Sequence, residues 1–251
     1  MKHIPEHLAK FLHNTTFFAE MPEETVAAFM AAGRVQEYRK QESIVLRGDR
    51  ANRFFIVMSG WVKLHRETPY GTESVVAMLS RGDAIGEMAI FDDTEYSFSA
   101  EAVCETKIIE ISSATLKEKG ADPQILLGIM ASLSRSVRRV QIEAEHLSLM
   151  NAPRRLACLL LKLSTDMIGK GGSFTLPYDK SLAAAQLGMT PETFSRALAQ
   201  LKPLGVRVHA TEVNIEQFQD LGKFCCSSCS ATPKECRGCR APAIEEFRKI
   251  A

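Results

Sequence analysis

A chain of 251 residues, 45% hydrophobic and 24% charged, has the composition of an ordinary folded protein of about two domains. It has no apolar run long enough to cross a membrane, and its N-terminus lacks the apolar core of a signal peptide, so a cytoplasmic, membrane-free protein is expected. The net charge of +1 excludes a strongly polybasic chain, yet residues 1–149 carry 17 Lys and Arg against 21 Asp and Glu while residues 150–251 carry 14 against 9, so only the second half suits a polyanion.

Residues 1–33 read as helical, with a stop at Gly33. Glycines at 48, 60, 71 and 82 then recur every 11–12 residues. Between them lie short β-rich runs at 54–58, 61–65 and 74–79, and residues 106–111 supply a last strand. Regular short strands with glycine turns predict an antiparallel barrel or sandwich.

Over residues 123–149 the texture changes. Leu126, Met130, Leu133, Val137, Val140, Ala144 and Leu147 are spaced 4-3-4-3-4-3, a heptad seam, with Arg135, Arg138, Arg139, Glu143 and Glu145 off it. So narrow a seam on a helix between two domains predicts a homodimer. The competing reading is an amphipathic helix packed on its own domain. Asn151-Ala152-Pro153 breaks the pattern, and a new helix is expected over 154–167, then a glycine-rich loop at 169–173 and a short strand at 174–177.

The next segment reads as a helix-turn-helix at 181–202. A short helix over 181–187 ends at Gly188, where glycine permits the positive φ of a tight turn. Thr190 suits the N-cap and Pro191 the first position of a second helix, which should stop near Lys202, before Pro203. On it Phe194, Leu198 and Leu201 form an inward face. Glu192, Ser195 and Arg196 form another, of residue types that read base edges. Residues 206–209 and 212–215 read as a two-stranded wing on which Arg207 and His209 reach phosphate.

Five of the seven cysteines, Cys225, Cys226, Cys229, Cys236 and Cys239, fall within 15 residues. In a reducing compartment such a cluster more often binds metal than forms disulfides. Two C-x2-C pairs, Cys226/Cys229 and Cys236/Cys239, converge four thiolates on an iron–sulfur cluster or, as the alternative, a zinc ion, with Cys225 a substitute ligand or a free thiol. A tail without metal, redox-active or disordered, is the third reading. Cys104 and Cys158 read as buried core residues.

The stretches Gly48-Asp49, Phe55-Ile56-Val57-Met58-Ser59-Gly60, Gly82-Asp83, Gly86-Glu87-Met88-Ala89-Ile90-Phe91 and Glu192-Thr193-Phe194-Ser195-Arg196 together resemble the CRP/FNR family of bacterial transcription regulators over about residues 10–220. The resemblance implies an α+β fold. Its parts are an antiparallel β-roll of the cyclic-nucleotide-binding type at 1–122, a dimerisation helix at 123–150 and a winged helix-turn-helix at 151–221, followed here by a cysteine-rich tail at 222–251. It implies a non-enzymatic regulator with double-stranded DNA, a second copy of itself and RNA polymerase as partners. Glu192, Ser195 and Arg196 match the FNR branch's recognition helix, which implies a TTGAT-type half-site in an inverted repeat, with Thr190 and Arg207 as further DNA contacts. Pro191 stands where cAMP-responsive members carry another contacting residue.

The sensory end departs from that pattern. In cAMP binders an Arg-Ser or Arg-Thr pair follows Gly-Glu by about ten residues and grips the cyclic phosphate. Here the region reads Glu95-Tyr96-Ser97-Phe98-Ser99, which predicts against cAMP. The N-terminal cysteines of FNR proper are also missing before Cys104. The run after Gly86 resembles the haem- and nitric-oxide-linked branch as well, but His3, His7, His13 and His65 read as surface histidines, against a haem site. The expected signal is therefore oxygen, nitric oxide or redox state acting on the C-terminal metal centre. The alternatives are a haem- or small-ligand-responsive regulator with a structural zinc tail, and a regulatory module of cyclic-nucleotide type that does not bind DNA. A redox enzyme built on the cysteine tail is disfavoured, because no nucleophile, base and orienting group can be assembled from the sequence.

Overall fold

The computed structural model describes residues 11–12, 15, 17–19, 21–91, 95–119, 123–168, 172–227 and 229–231. They belong to two units, residues 1–136 and 137–251, and the division falls inside one helix.

The first unit is built on two four-stranded antiparallel sheets. Its elements are α1 (Glu23–Ala32), β1 (Arg34–Tyr38), β2 (Ser43–Val45), β3 (Arg53–Ser59), β4 (Trp61–Glu67), β5 (Glu73–Ser80), β6 (Ala84–Ile85), α2 (Glu87–Phe91), β7 (Ser99–Ala102), β8 (Thr106–Ser112) and α3 (Ser113–Lys119). One sheet runs β1-β8-β3-β6 and the other β2-β7-β4-β5. Phe55, Val57, Val62, Leu64, Leu79, Ile85, Ala100 and Ile108 fill the space between them. The other face of the first sheet is covered too: Phe54, Ile56, Ile109 and Ile111 pack against Phe17, Phe18, Val26 and Phe29. This is why residues 54–57 are an unbroken apolar run. A strand buried on both faces loses the period-2 alternation of a half-exposed one.

Gly60 joins β3 to β4 at φ +88°, and a Cβ there would lie 2.6 Å from the Glu105 carbonyl oxygen and against Thr106. Gly60→Ala is expected to lower stability by about 1–3 kcal/mol, read as a lower urea midpoint at unchanged slope.

The helix α4 (Pro123–Leu149) is 27 residues long. In its first part Ile125 and Ile129 are buried in the core of the first unit. Leu126, Met130, Val137, Val140 and Leu147 are between 45 and 62% exposed, and Ala144 is exposed. Leu133 differs from the rest of the seam, being half-buried against the first unit's core.

The second unit contains α5 (Ala152–Ile168), β9 (Gly172–Thr175), α6 (Lys180–Gln186), α7 (Pro191–Leu201), a 3-10 turn (Lys202–Leu204), β10 (Val206–His209), β11 (Glu212–Ile215) and α8 (Phe218–Cys226). The three strands form one antiparallel sheet, β10-β11-β9. Leu156, Leu160 and Leu163 of α5, Phe194, Ala197 and Leu201 of α7, and Leu221 of α8 are buried. Such an arrangement of β-rich first unit, long helix and helix-turn-helix second unit is mixed α+β.

Several sequence expectations are corrected. Of the stretch expected to be helical to Gly33, the described regular helix is α1, with Gly33 as its C-cap in extended conformation. Residues 218–226, which span the expected boundary at 221/222 between the winged helix-turn-helix and the cysteine-rich tail, form one helix, α8. Cys104 and Cys158 are half-buried, not fully buried. His65 is buried on β4, its Nδ1 3.3 Å from Glu73 Oε2, so it is not a surface histidine. His3, His7 and His13 lie outside the described residues.

Candidate nucleic-acid interface and thiol cluster

The reading helix is specified locally at both its ends and before it. Asp179 caps α6, accepting the Leu182 N–H at 2.8 Å. The chain leaves α6 through Gly188 at φ +61°, with the Met189 N–H bonded to the Ala184 carbonyl at 3.0 Å. Thr190 then caps α7, its hydroxyl accepting the Thr193 N–H at 3.3 Å, and Pro191 opens the helix. Thr190→Ala is expected to destabilise the second unit by about 1 kcal/mol, measured by urea unfolding. Asp179 was legible as a cap three residues before Leu182, although the sequence reading began the helix at 181.

Two faces follow from the 3.6-residue period. Phe194, Ala197 and Leu201 are buried, while Leu198 is only half-buried, so the inward stripe is centred on Ala197 and not on Leu198. Glu192, Ser195, Arg196 and Ala199 are exposed on the opposite side. Hydrogen bonding from Thr190 holds the Glu192 carboxyl below the usual carboxylate range, helped by the positive charge of Arg196. An ionised acceptor, a hydroxyl and a guanidinium thus stand within two turns, a set suited to base edges. Arg196 Nη2 lies 3.5 Å from Thr193 Oγ1. Arg207 is on β10 and its Nε donates to Glu216 Oε1 at 3.1 Å, so a phosphate would share this guanidinium with a carboxylate. His209, at the end of β10, is exposed.

In the first unit the segment that departs from the family pattern is packed inward. Tyr96 is buried, and a Cβ on Gly86 would fall 2.7 Å from its ring. Its hydroxyl donates to the Arg53 carbonyl at 2.5 Å. Burial pushes the phenol above its ordinary value, so it remains a neutral donor.

The cysteines of the tail divide by neighbour. Cys225 and Cys226, in the last turn of α8, are buried with their sulfurs 3.7 Å apart. Contact with Cys158, then with Cys226, then burial push the Cys225 thiol well above its usual value. Arg154 of α5 stacks over Phe224 at 5.7 Å and fixes α8 on α5. Cys229 is half-buried and faces elsewhere, its Sγ 3.1 Å from His146 Nε2 on the last turn of α4. The next residue is tied to the same turn: the Ser230 N–H donates to Glu145 Oε1 at 2.8 Å and its hydroxyl to Glu145 Oε2. These bonds hold the Glu145 carboxyl below its usual range. Ala231 beyond them is buried. Among the described residues, no three His, Cys, Asp or Glu side chains form a ready metal site. Cys236 and Cys239 lie outside the described residues. The pairing of His146 with Cys229 spans 83 residues, and no local pattern in the sequence signals it.

Known proteins share both units. A family model described as a cyclic nucleotide-binding domain matches residues 35–121, and one described as a Crp-like helix-turn-helix domain matches residues 154–224. The cyclic AMP receptor protein of Thermus thermophilus is 32% identical over 194 residues, covering 76% of this chain and 86% of that protein. The fumarate and nitrate reduction regulatory protein of Vibrio cholerae is 31% identical over 173 residues, covering 67% and 69%. The solved structure of FixK2 from Bradyrhizobium japonicum is similar with a TM-score of 0.69 at 25% identity, covering 80% of this chain and 98% of that one.

Proposed function

Because the chain belongs to the CRP/FNR family of DNA-binding transcription regulators, we propose that it reads an FNR-like inverted repeat as a homodimer, each α7 taking one TTGAT-type half-site. The observation that carries this is the exposed α7 face of Glu192, Ser195 and Arg196. Arg196 would take guanine O6 and N7 together, Glu192 would accept from a cytosine amino group, and Ser195 adapts to its neighbour. Thr190 and Arg207 would contact phosphate, which orients the reader without specifying sequence. The exposed seam from Leu126 to Leu147, with Leu133 at its edge, supplies the dimer contact, and two-fold symmetry sets half-sites about one helical turn apart. RNA polymerase is the further partner of such a regulator, whose role is regulatory and not catalytic.

The first unit, with Tyr96 in place of a phosphate-gripping arginine, does not use cAMP, and no haem enters this reading. The signal acts instead at the C-terminal thiols, Cys226, Cys229, Cys236 and Cys239 with Cys225 beside them. There an iron–sulfur cluster or zinc ion would supply chemistry sensitive to oxygen, nitric oxide or redox state.

The test is a gel shift with the full chain on a duplex carrying the TTGAT inverted repeat and on its scrambled version. A preference of at least roughly a thousandfold is expected, and equal affinity would overturn the DNA reading. Repeating the titration with and without oxygen tests the signal. Equal binding under both conditions, unaltered by Cys→Ser changes in the tail, overturns redox control while leaving the reader intact.

A further inference from the structure

Of the features outside the reading helix, the packing of α5 on α8 goes furthest, because it carries thiols on both sides. Arg154 of α5 lies over the Phe224 ring of α8 at 5.7 Å. One turn on from Arg154, on the same face of α5, is Cys158, and next to Phe224 on α8 is Cys225. The Cys158 thiol is a hydrogen-bonding neighbour of the Cys225 thiol, ahead of Cys226 in its effect. Cys225 is buried, its S–H donating to the Gly222 carbonyl at 3.6 Å. Cys158 is half-buried, so a small solute reaches it first.

From these we infer that Cys158 and Cys225 form a modification site of their own, a dithiol that hydrogen peroxide converts into a disulfide stapling α5 to α8. This goes beyond the proposed function, whose thiolate centre uses Cys226, Cys229, Cys236 and Cys239 and gives Cys158 no part.

The steps balance. Peroxide oxidises the half-buried Cys158 thiol to a sulfenic acid, and one water leaves. The Cys225 sulfur then attacks the Cys158 sulfur. The S–S bond forms, the S–O bond breaks, and the hydroxyl departs with the Cys225 proton as a second water. Two electrons have passed from two thiols to one peroxide. Cys226 is not the partner, although its sulfur lies 3.7 Å from that of Cys225. Neighbouring residues of a helix point about 100° apart, whereas a disulfide holds its Cβ atoms about 3.8 Å apart, so that bond would unwind the last turn of α8. Closing a contact between facing helices needs only side-chain rotation and a small approach. The bond would enclose residues 159–224, and with them α6, α7 and the wing. A crosslink around so long a loop removes freedom from the unfolded chain, so the oxidised second unit becomes the harder one to unfold.

The experiment treats the purified full chain with hydrogen peroxide, blocks remaining thiols by alkylation, digests with trypsin without reductant, and maps disulfides by mass spectrometry. It compares the native sequence with C158S, C225S and C226S, each shown by circular dichroism to be folded when reduced. A linked pair of the peptides 156–162 and 224–234 is expected in the native chain and in C226S, and is lost in C158S and C225S. Oxidation should raise the native melting temperature by roughly 10 °C or more, reversibly with dithiothreitol, and leave that of C158S in place. Cys158 recovered as an alkylated thiol after peroxide, or linked to Cys226 or Cys229, overturns the dithiol. Elemental analysis of the same samples separates the two readings. The linked pair in a chain that holds neither zinc nor iron overturns the thiolate centre alone. Bound metal with Cys158 still a free thiol after peroxide overturns the dithiol alone.

Discussion

Arg196→Ala is expected to abolish discrimination at the guanine position while sparing the fold. A bidentate arginine–guanine contact discriminates by about 1–3 kcal/mol, and a symmetric dimer makes it twice, so the specific complex should weaken by about 2–6 kcal/mol, roughly 30-fold to 10⁴-fold. Arg196 is exposed and its nearest polar neighbour in the protein is Thr193 Oγ1 at 3.5 Å. Its loss should therefore change unfolding free energy by no more than about 0.5 kcal/mol. Binding to scrambled DNA, which follows phosphate contacts and salt, should fall little. Gel shifts on the repeat, on a guanine-substituted repeat and on scrambled DNA measure all three quantities. If the variant still distinguished the guanine position as well as the native chain, Arg196 would not be the reader.

Val140→Glu is the second large effect. Val140 lies mid-seam on α4, 62% exposed, and belongs to neither buried core. If two copies pair along Leu126, Met130, Val137, Val140, Ala144 and Leu147, both valines are buried in the pair. Removing both would forfeit about 3–6 kcal/mol, at about 1.5–3 kcal/mol each, before adding the repulsion of two carboxylates. The dimer dissociation constant should rise on the order of 10²- to 10⁴-fold. Sedimentation velocity reads this directly, and circular dichroism should show an unchanged monomer fold. A dissociation constant that did not move would place the interface elsewhere and restore the competing reading of α4 as a helix serving one chain alone.

The sequence was most legible where local rules and tertiary packing agree. Thr190, Pro191 and Gly188 announce the turn and the start of α7 chemically, and residues 206–209 and 212–215 alternate as strands of a half-buried sheet, so these bounds follow from residue types alone. Legibility failed where the structure is decided at a distance. The strand β1, Arg-Val-Gln-Glu-Tyr, is mostly exposed and carries no apolar pattern; its place comes from pairing with β8, Arg34 opposite Glu110 through Tyr38 opposite Thr106. The strand β7 reads Ser-Ala-Glu-Ala, poor in β-formers, yet Ala100 and Ala102 are buried because β2 and β4 flank it. In α7, hydrophobicity alone favoured Leu198 over Ala197, but Ala197 shares the buried face of Phe194 and Leu201, three residues after one and four before the other. The thiols show the same limit. Spacing put Cys226 and Cys229 together, while helix α8 turns one into the core and α4 meets the other with His146.

Tyr96 has a consequence for how the first unit meets small molecules. A side chain seated beside Gly86 and bonded to the Arg53 carbonyl is a tethered occupant. Its local concentration is fixed by covalent linkage, at the millimolar level or above for short tethers, and does not fall on dilution. A ligand that needed the space beside Gly86 would have to compete with it at that concentration. Affinity for added nucleotides would be masked by intramolecular competition even where the surrounding walls were complementary. Trimming the occupant, as in Tyr96→Ala, would remove that competition and open the space beside Gly86.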